Sequence, residues 1–164
     1  MSTLYLSLGT NLGDKANNLG QAIHEIEQQI GKVLSQSAFY VTAPWGFEST
    51  HSFLNAALCV ETSLSPHDVL RQTQLIEKQL GRLHKSVDGK YSDRLIDIDL
   101  LLYDDLILNE EELKLPHPLM TERLFVMEPL AEIAPQVVHP VLQETLKKLT
   151  DDLIRRSAEP KRKP

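Results

Sequence analysis

An α+β layered fold with a mainly antiparallel sheet is what this 164-residue chain predicts. Short apolar runs that alternate with period two read as strands, and they are interleaved with segments of helical period. A strand running up to Tyr103 passes through Asp104-Asp105 straight into Leu106-Ile107-Leu108, a hairpin-like step that a doubly wound parallel sheet does not contain. Length and a hydrophobic content of 41% suit one domain, 1–154, followed by a flexible basic tail, 155–164.

Leu4, Leu6 and Leu8 alternate with Tyr5 and Ser7, so the chain begins with a strand that ends in a glycine turn, Gly9-Thr10-Asn11-Leu12-Gly13-Asp14. Ala16, Leu19, Ile23, Ile26 and Ile30 share one helical face until Gly31 stops the helix. A second strand is expected from Lys32 to Tyr40, and a long loop holding the only tryptophan, Trp45, follows it. The third strand is Phe53 to Glu61. Ser65-Pro66-His67-Asp68 then reads as an N-cap, a proline at the first helical position and an acid at the third. Val69, Thr73, Ile76 and Leu80 form the buried stripe of that helix, which should stop at Gly81. Beyond the fourth strand, Arg94 to Tyr103, a helical pattern from Leu119 to Ile133 is expected to break at Pro129, and a last amphipathic helix covers Gln143 to Ile154.

A net charge of -6 argues against broad binding to nucleic acid or anionic membrane, and no apolar run reaches the length of a membrane span. The first residues lack a basic signal-peptide start, so the cytoplasm is the expected compartment. Cys59, the single cysteine, reads as a small buried apolar residue. Positive charge is concentrated locally between Gly81 and Arg94, where Arg82, His84, Lys85, Lys90 and Arg94 face only Asp88 and Asp93.

The chemistry lies in Arg94-Leu95-Ile96-Asp97-Ile98-Asp99-Leu100-Leu101-Leu102-Tyr103. In a strand Asp97 and Asp99 share a face about 6–7 Å apart, while Ile96, Ile98 and Leu100 point the other way. Leu95, Leu101 and Tyr103 should bracket the acids on their own face, which makes full solvation unfavourable. Partly desolvated anions need a cation, and an oxygen-only pair of this kind suits Mg²⁺ together with substrate phosphates. A wet edge-strand face remains the alternative for the pair taken alone.

Six segments in fixed order extend this reading. They are Leu8-Gly9-Thr10-Asn11-Leu12-Gly13, Phe39-Tyr40-Val41-Thr42-Ala43-Pro44-Trp45-Gly46, Phe53-Leu54-Asn55-Ala56-Ala57, Ile76-Glu77 through Gly81-Arg82, Arg94 to Leu100, and Leu115-Pro116-His117-Pro118 through Arg123-Leu124-Phe125. Together, from Leu4 to about Leu149, the chain resembles the 6-hydroxymethyl-7,8-dihydropterin pyrophosphokinases of folate biosynthesis. The resemblance implies a ferredoxin-like sandwich and transfer of pyrophosphate from ATP to the hydroxymethyl oxygen of the pterin, with release of AMP. It implies that Asp97 and Asp99 hold two Mg²⁺ ions and that Arg82 and Arg94 act with them in catalysis. The implied ATP contacts are Gln74, Glu77, Arg82, His84, Lys90, Arg94, Ile98, Lys114, His117 and Arg123. The implied pterin contacts are Thr42, Pro44, Trp45, Gly46, Phe53, Asn55, Tyr91, Asp97 and Phe125. Its partners would be ATP and the reduced hydroxymethylpterin, with no nucleic acid, no membrane and a monomeric chain.

His84 and Lys90 stand where the family often has arginine, Tyr91 replaces a loop tryptophan, and Glu112 lies where a basic residue is expected. The stretch from Leu83 to Asp93 has few apolar anchors and is expected to act as a closing lid. Two other classes compete with the pyrophosphokinase: a ferredoxin-like regulatory domain with a structural ion, and a metal-dependent phosphohydrolase. Neither needs an aromatic and amide-lined slot beside a basic stretch.

Overall fold

The computed structural model describes residues 1–42, 52–82 and 95–158. Its strands are β1 (Ser2–Thr10), β2 (Gly31–Gln36), β3 (Tyr40–Thr42), β4 (Phe53–Thr62), β5 (Asp97–Tyr103), β6 (Leu108–Asn109) and β7 (Lys114–Leu115). The α-helices are α1 (Lys15–Gln29), α2 (Pro66–Arg82), α3 (Leu124–Ile133) and α4 (Leu146–Ala158). β2, β4, β1 and β5 lie side by side in that order, all antiparallel, and β3 continues along the same edge of β4 as β2. Two β–α–β crossovers that interleave in one antiparallel sheet make the ferredoxin-like arrangement.

Period two decides what each face buries. Leu4, Leu6 and Leu8 of β1, Ala56, Leu58 and Val60 of β4, and Ile98 and Leu100 of β5 pack under α1 and α2. The opposite face, with Ala57, Leu101 and Leu102, packs under Met127 and Leu130 of α3 and Leu146, Leu149 and Leu153 of α4. β4 is covered on both sides, which explains its continuous apolar run from Ala56 to Val60. Asp14 caps α1 by accepting the Asn17 N–H at 3.2 Å, and the Ser65 hydroxyl accepts the Asp68 N–H at 3.2 Å, as the N-cap reading of that segment requires.

Several boundaries differ from the sequence reading, each for a local reason. β1 runs on to Thr10, so Gly9 is a strand residue and the turn belongs to Gly13, at φ 64°. The second strand is broken at residues 37–39 into β2 and β3. The hairpin after β5 pairs β6 with β7 in a separate two-stranded sheet, because Asp104 turns the chain out of the main sheet at φ 49°. Its carboxylate accepts the Thr3 N–H at 2.7 Å while its own N–H donates to the Thr3 carbonyl at 2.8 Å. The helical pattern after Leu119 breaks at Arg123, at φ -119° and ψ 105°, and Pro129 sits inside α3. α4 begins at Leu146 and continues through Arg155 and Arg156 to Ala158, later at both ends than expected. Arg155 pairs with Asp152, and two cations in the last turn complement the helix dipole, so residues 155–158 are helix and not tail. Residues 159–164 lie outside the described part.

Tyr103 is the clearest correction. The pairing of β1 with β5 shifts register between Tyr5 and Leu6, leaving one extra residue on β5. Leu101 and Leu102 both reach the α3–α4 core, and Tyr103 is turned to the α1–α2 face, where its hydroxyl donates to the Leu64 carbonyl at 2.6 Å. Only Leu101 of the expected apolar bracket shares the acid face within β5.

His139 is buried after α3, where Nδ1 accepts the N–H groups of Val141 and Leu142 at 3.2 and 3.1 Å. Burial holds its pKa below the ordinary 6.5. The unfolded chain therefore takes up a proton there that the folded chain refuses, so stability is full above the ordinary value and falls as pH drops toward the lowered one. The urea midpoint is expected to fall between about pH 7.5 and 5.5, and to fall less in His139→Asn. Equal falls in both proteins would place the acid sensitivity elsewhere.

Candidate active site

Cross-strand partners face the same side of a sheet, so the pairing lists a row of side chains directly. Asp97 of β5 lies opposite Gly9 of β1, Gly9 opposite Asn55 of β4, and Asn55 opposite Tyr40 of β3. Two residues along, Asp99 lies opposite Ser7, which lies opposite Ala57. The acid pair and Asn55 thus stand on the α3–α4 face, with Asp97 about 10 Å from Asn55 across two strand spacings and no side chain between these two. Gly9 makes that gap. A methyl group there would sit 2.9 Å from Asn55 Oδ1 and 4.0 Å from the Phe53 ring. Asn55 is buried, and its Nδ2 donates to Thr42 Oγ1 at 2.9 Å, which fixes which end of the amide points where.

Asp97 and Asp99 are half-buried, and α2 brings a third carboxyl to them. Glu77 Oε2 accepts the Ile98 N–H at 2.8 Å, closing the outer edge of β5. Burial above all pushes the Glu77 carboxyl up to about 7; the charges of Asp97 and Asp99 add to this, and the Ile98 N–H opposes it. A carboxyl buried beside two others is driven toward its neutral form. The donor set is all oxygen, and it fits a hard divalent cation such as Mg²⁺ at Asp97 and Asp99.

Along the same edge of β5 lies a cavity of about 260 Å³, with Ile98, Asp99 and Leu100 on one side, Leu70 of α2 on another, and Leu113, Lys114 and His117 closing it. Leu70, Gln74 and Glu77 recur at helical spacing, so Gln74 stands on the same stripe of α2 as the cavity wall. His117 is held by its backbone N–H to the Leu101 carbonyl at 2.9 Å, and its Nδ1 accepts the Leu119 N–H at 3.2 Å. In the neutral ring the proton is then on Nε2. Burial lowers the His117 pKa, Arg123 lowers it further, and Asp97 opposes them. The Arg123 guanidinium stands 5.9 Å from the centre of the Phe125 ring, a cation–π distance, and both residues belong to the start of α3.

The fold therefore gathers Thr42, Phe53, Asn55, Asp97, Asp99, Glu77, Ile98, Lys114, His117, Arg123 and Phe125 around the end of β5 and the row beside it. Lys114 is spent partly on the hairpin, its Nζ donating to the Glu110 carbonyl at 3.0 Å. Arg82 ends α2; its side chain, Pro44, Trp45, Gly46, His84, Lys90, Tyr91 and Arg94 lie outside the described residues, as does the expected lid. Glu112 lines the cavity and groups with His67 and Glu110, whose side chains bond at 2.7 Å and tie the β6–β7 hairpin to the start of α2. The sequence reading missed the role of Gly9, which directly follows the alternating run Leu4 to Leu8.

The model of the 7,8-dihydro-6-hydroxymethylpterin-pyrophosphokinase family matches residues 5–135. The chain belongs to that family. Among its relatives, the 2-amino-4-hydroxy-6-hydroxymethyldihydropteridine pyrophosphokinase of Porphyromonas gingivalis is 48% identical over 141 residues, covering 85% of this chain and 95% of the relative. The enzyme of the same name from Aquifex aeolicus is 40% identical over 149 residues, covering 90% and 89%. A crystal structure of Plasmodium falciparum HPPK-DHPS superimposes with a TM-score of 0.78 at 19% identity, covering 96% of this chain and 44% of that one. That likeness confirms the fold, and this pyrophosphokinase-family chain spans less than half of the larger protein's length.

Proposed function

We propose that this chain transfers pyrophosphate from ATP to the hydroxymethyl oxygen of 6-hydroxymethyl-7,8-dihydropterin and releases AMP, acting in the cytoplasm as a monomer with two Mg²⁺ ions and no nucleic-acid partner. The observation that carries the reading is the row Asp97–Gly9–Asn55, which sets a carboxylate pair and a buried amide on either side of a gap in one sheet face. A structural ion or a phosphohydrolase has no use for the amide side of that row.

Asp97 and Asp99 would hold the metal. When bound, Mg²⁺ supplies neutralisation of the triphosphate charge and orientation of the transferred group. The protein's part is placement, which dominates in phosphoryl-type transfer. The cavity beside Ile98 receives the nucleoside end of ATP, and the phosphates run from it past His117 and Arg123 toward the acids. His117 Nε2–H donates a hydrogen bond to a phosphate oxygen without adding full charge, while Arg123, steadied over Phe125, adds a forked cationic contact. A flat polar bicycle lies over Gly9, with its amide edge read by Asn55 and its rings between Phe53 and Phe125. Glu77 keeps β5 closed so that both aspartates keep their spacing.

The deciding experiment incubates the protein with ATP, Mg²⁺ and the reduced hydroxymethylpterin and separates the nucleotides. AMP formed in step with a pterin diphosphate is the expected result. ADP in place of AMP, or inorganic phosphate without pterin product, would overturn it.

A further inference from the structure

The wall of the slot that contains Thr42 depends on a bulge, and the bulge is stapled from outside the sheet. β2 pairs Gln36 with Leu58, while β3 pairs Tyr40 with Asn55, so the edge strand carries one extra residue between the two pairings. Continuing the β2 register without it would place Phe39 opposite Asn55. In the structure Phe39 packs with the α1–α2 core instead, and Tyr40 and Thr42 take the face of Asn55. Because side chains alternate strictly along a strand, this one inserted residue decides whether Thr42 looks at Asn55 or away from it.

Two devices hold the bulge. Ser37 replaces a ladder contact, its N–H donating to the Ala57 carbonyl at 2.9 Å and its hydroxyl accepting the Ala57 N–H at 2.9 Å. Ala38, left without a strand partner, donates its N–H to both Glu132 carboxylate oxygens at 3.2 and 3.1 Å, and the Tyr40 hydroxyl donates to Glu132 Oε1 at 2.6 Å. The short tyrosine bond and the charge of Glu132 together push the Tyr40 hydroxyl up to about 12, so it stays a donor throughout the neutral range. Glu132 lies near the C-terminal end of α3, the helix whose first turn carries Phe125. One carboxylate therefore ties the element that holds Phe125 to the element that holds Thr42.

We infer that Glu132 is a positioning residue for the pterin slot, holding the β2–β3 bulge so that Thr42 faces and orients Asn55. The inference rests on the proposed pterin pyrophosphokinase reading. Glu132 is exposed and remote from the acid pair, so its effect is separable from metal and nucleotide binding.

Calorimetry with the reduced hydroxymethylpterin and with a nonhydrolysable ATP analogue plus Mg²⁺ tests it on the intact chain. Glu132→Ala is expected to weaken pterin binding by about five- to tenfold and to change analogue binding less than about twofold, as loss of charge-assisted hydrogen bonds at a partly exposed site implies. Tyr40→Phe, which keeps the ring and removes one donor, should weaken the pterin by about two- to threefold and carries the test if the alanine variant does not fold. Glu132→Gln retains an acceptor for both donors and should recover most of the affinity lost in Glu132→Ala, a rescue that a purely electrostatic role would not give. Pterin binding unchanged in folded Glu132→Ala, or pterin and analogue weakened equally, would overturn the inference while leaving the proposed function standing. Failure of the wild-type chain to bind the pterin at all would remove both.

Discussion

Asp97→Ala and Asp99→Ala are each expected to lower turnover by about a thousandfold or more while the protein stays folded. Both carboxylates stand on one face of β5 with Glu77 beside them; burial chiefly raises the Glu77 carboxyl, and the charges of Asp97 and Asp99 add to the rise. Deleting one aspartate relieves that repulsion in the metal-free protein, so the thermal midpoint should hold or rise slightly. In the presence of ATP the same deletion removes a ligand of the proposed metal site, and the triphosphate would then meet two remaining carboxyls without enough cation. Pyrophosphate transfer at saturating Mg²⁺ and circular dichroism on the same samples check both halves. A folded variant with near-wild-type turnover would show that the pair does not hold the metal on which the reaction depends.

The acid pair was legible in the sequence because two carboxylates at period two inside an apolar β-branched run admit few arrangements. Strand alternation gave their shared face, and the same alternation in β1 and β4 gave the two-sided core. What alternation cannot show is a single inserted residue. The bulge at Leu101 turned Tyr103 to the far face, and the bulge before Tyr40 split one expected strand into two. Each depends on partners distant in the chain; the Tyr40 hydroxyl and its Glu132 acceptor are 92 positions apart. Of the cavity lining, Ile98, Lys114 and His117 were singled out only through the family resemblance, since Leu70, Ile98 and Leu113 read singly as core. Gly9 reads as part of a turn, because a glycine near the end of a strand and a glycine just beyond it look alike in one sequence.

That misplacement matters because Gly9 forms the floor between the two halves of the site. Gly9→Ala puts a methyl group 2.9 Å from Asn55 Oδ1, closer than such contacts occur, and Asn55 is buried with its other amide end bonded to Thr42. The amide has to turn or shift, which breaks the Thr42 bond, and the added carbon also fills the space over which a flat ring would lie. Overpacking of this kind costs ~1–3 kcal/mol, so pterin affinity should fall by roughly tenfold or more, with a small loss of global stability. The cavity beside Ile98 and Leu113 lies at the outer edge of β5, on the far side of Asp97 from Gly9, so the affinity for a nonhydrolysable ATP analogue with Mg²⁺ should change less than about twofold. Titration of each ligand separately into the folded variant distinguishes these effects. If pterin and analogue weaken together, Gly9 supports the whole site through β1 and not the pterin floor; if neither weakens, the ring does not lie over Gly9 and the slot must be placed elsewhere on this face.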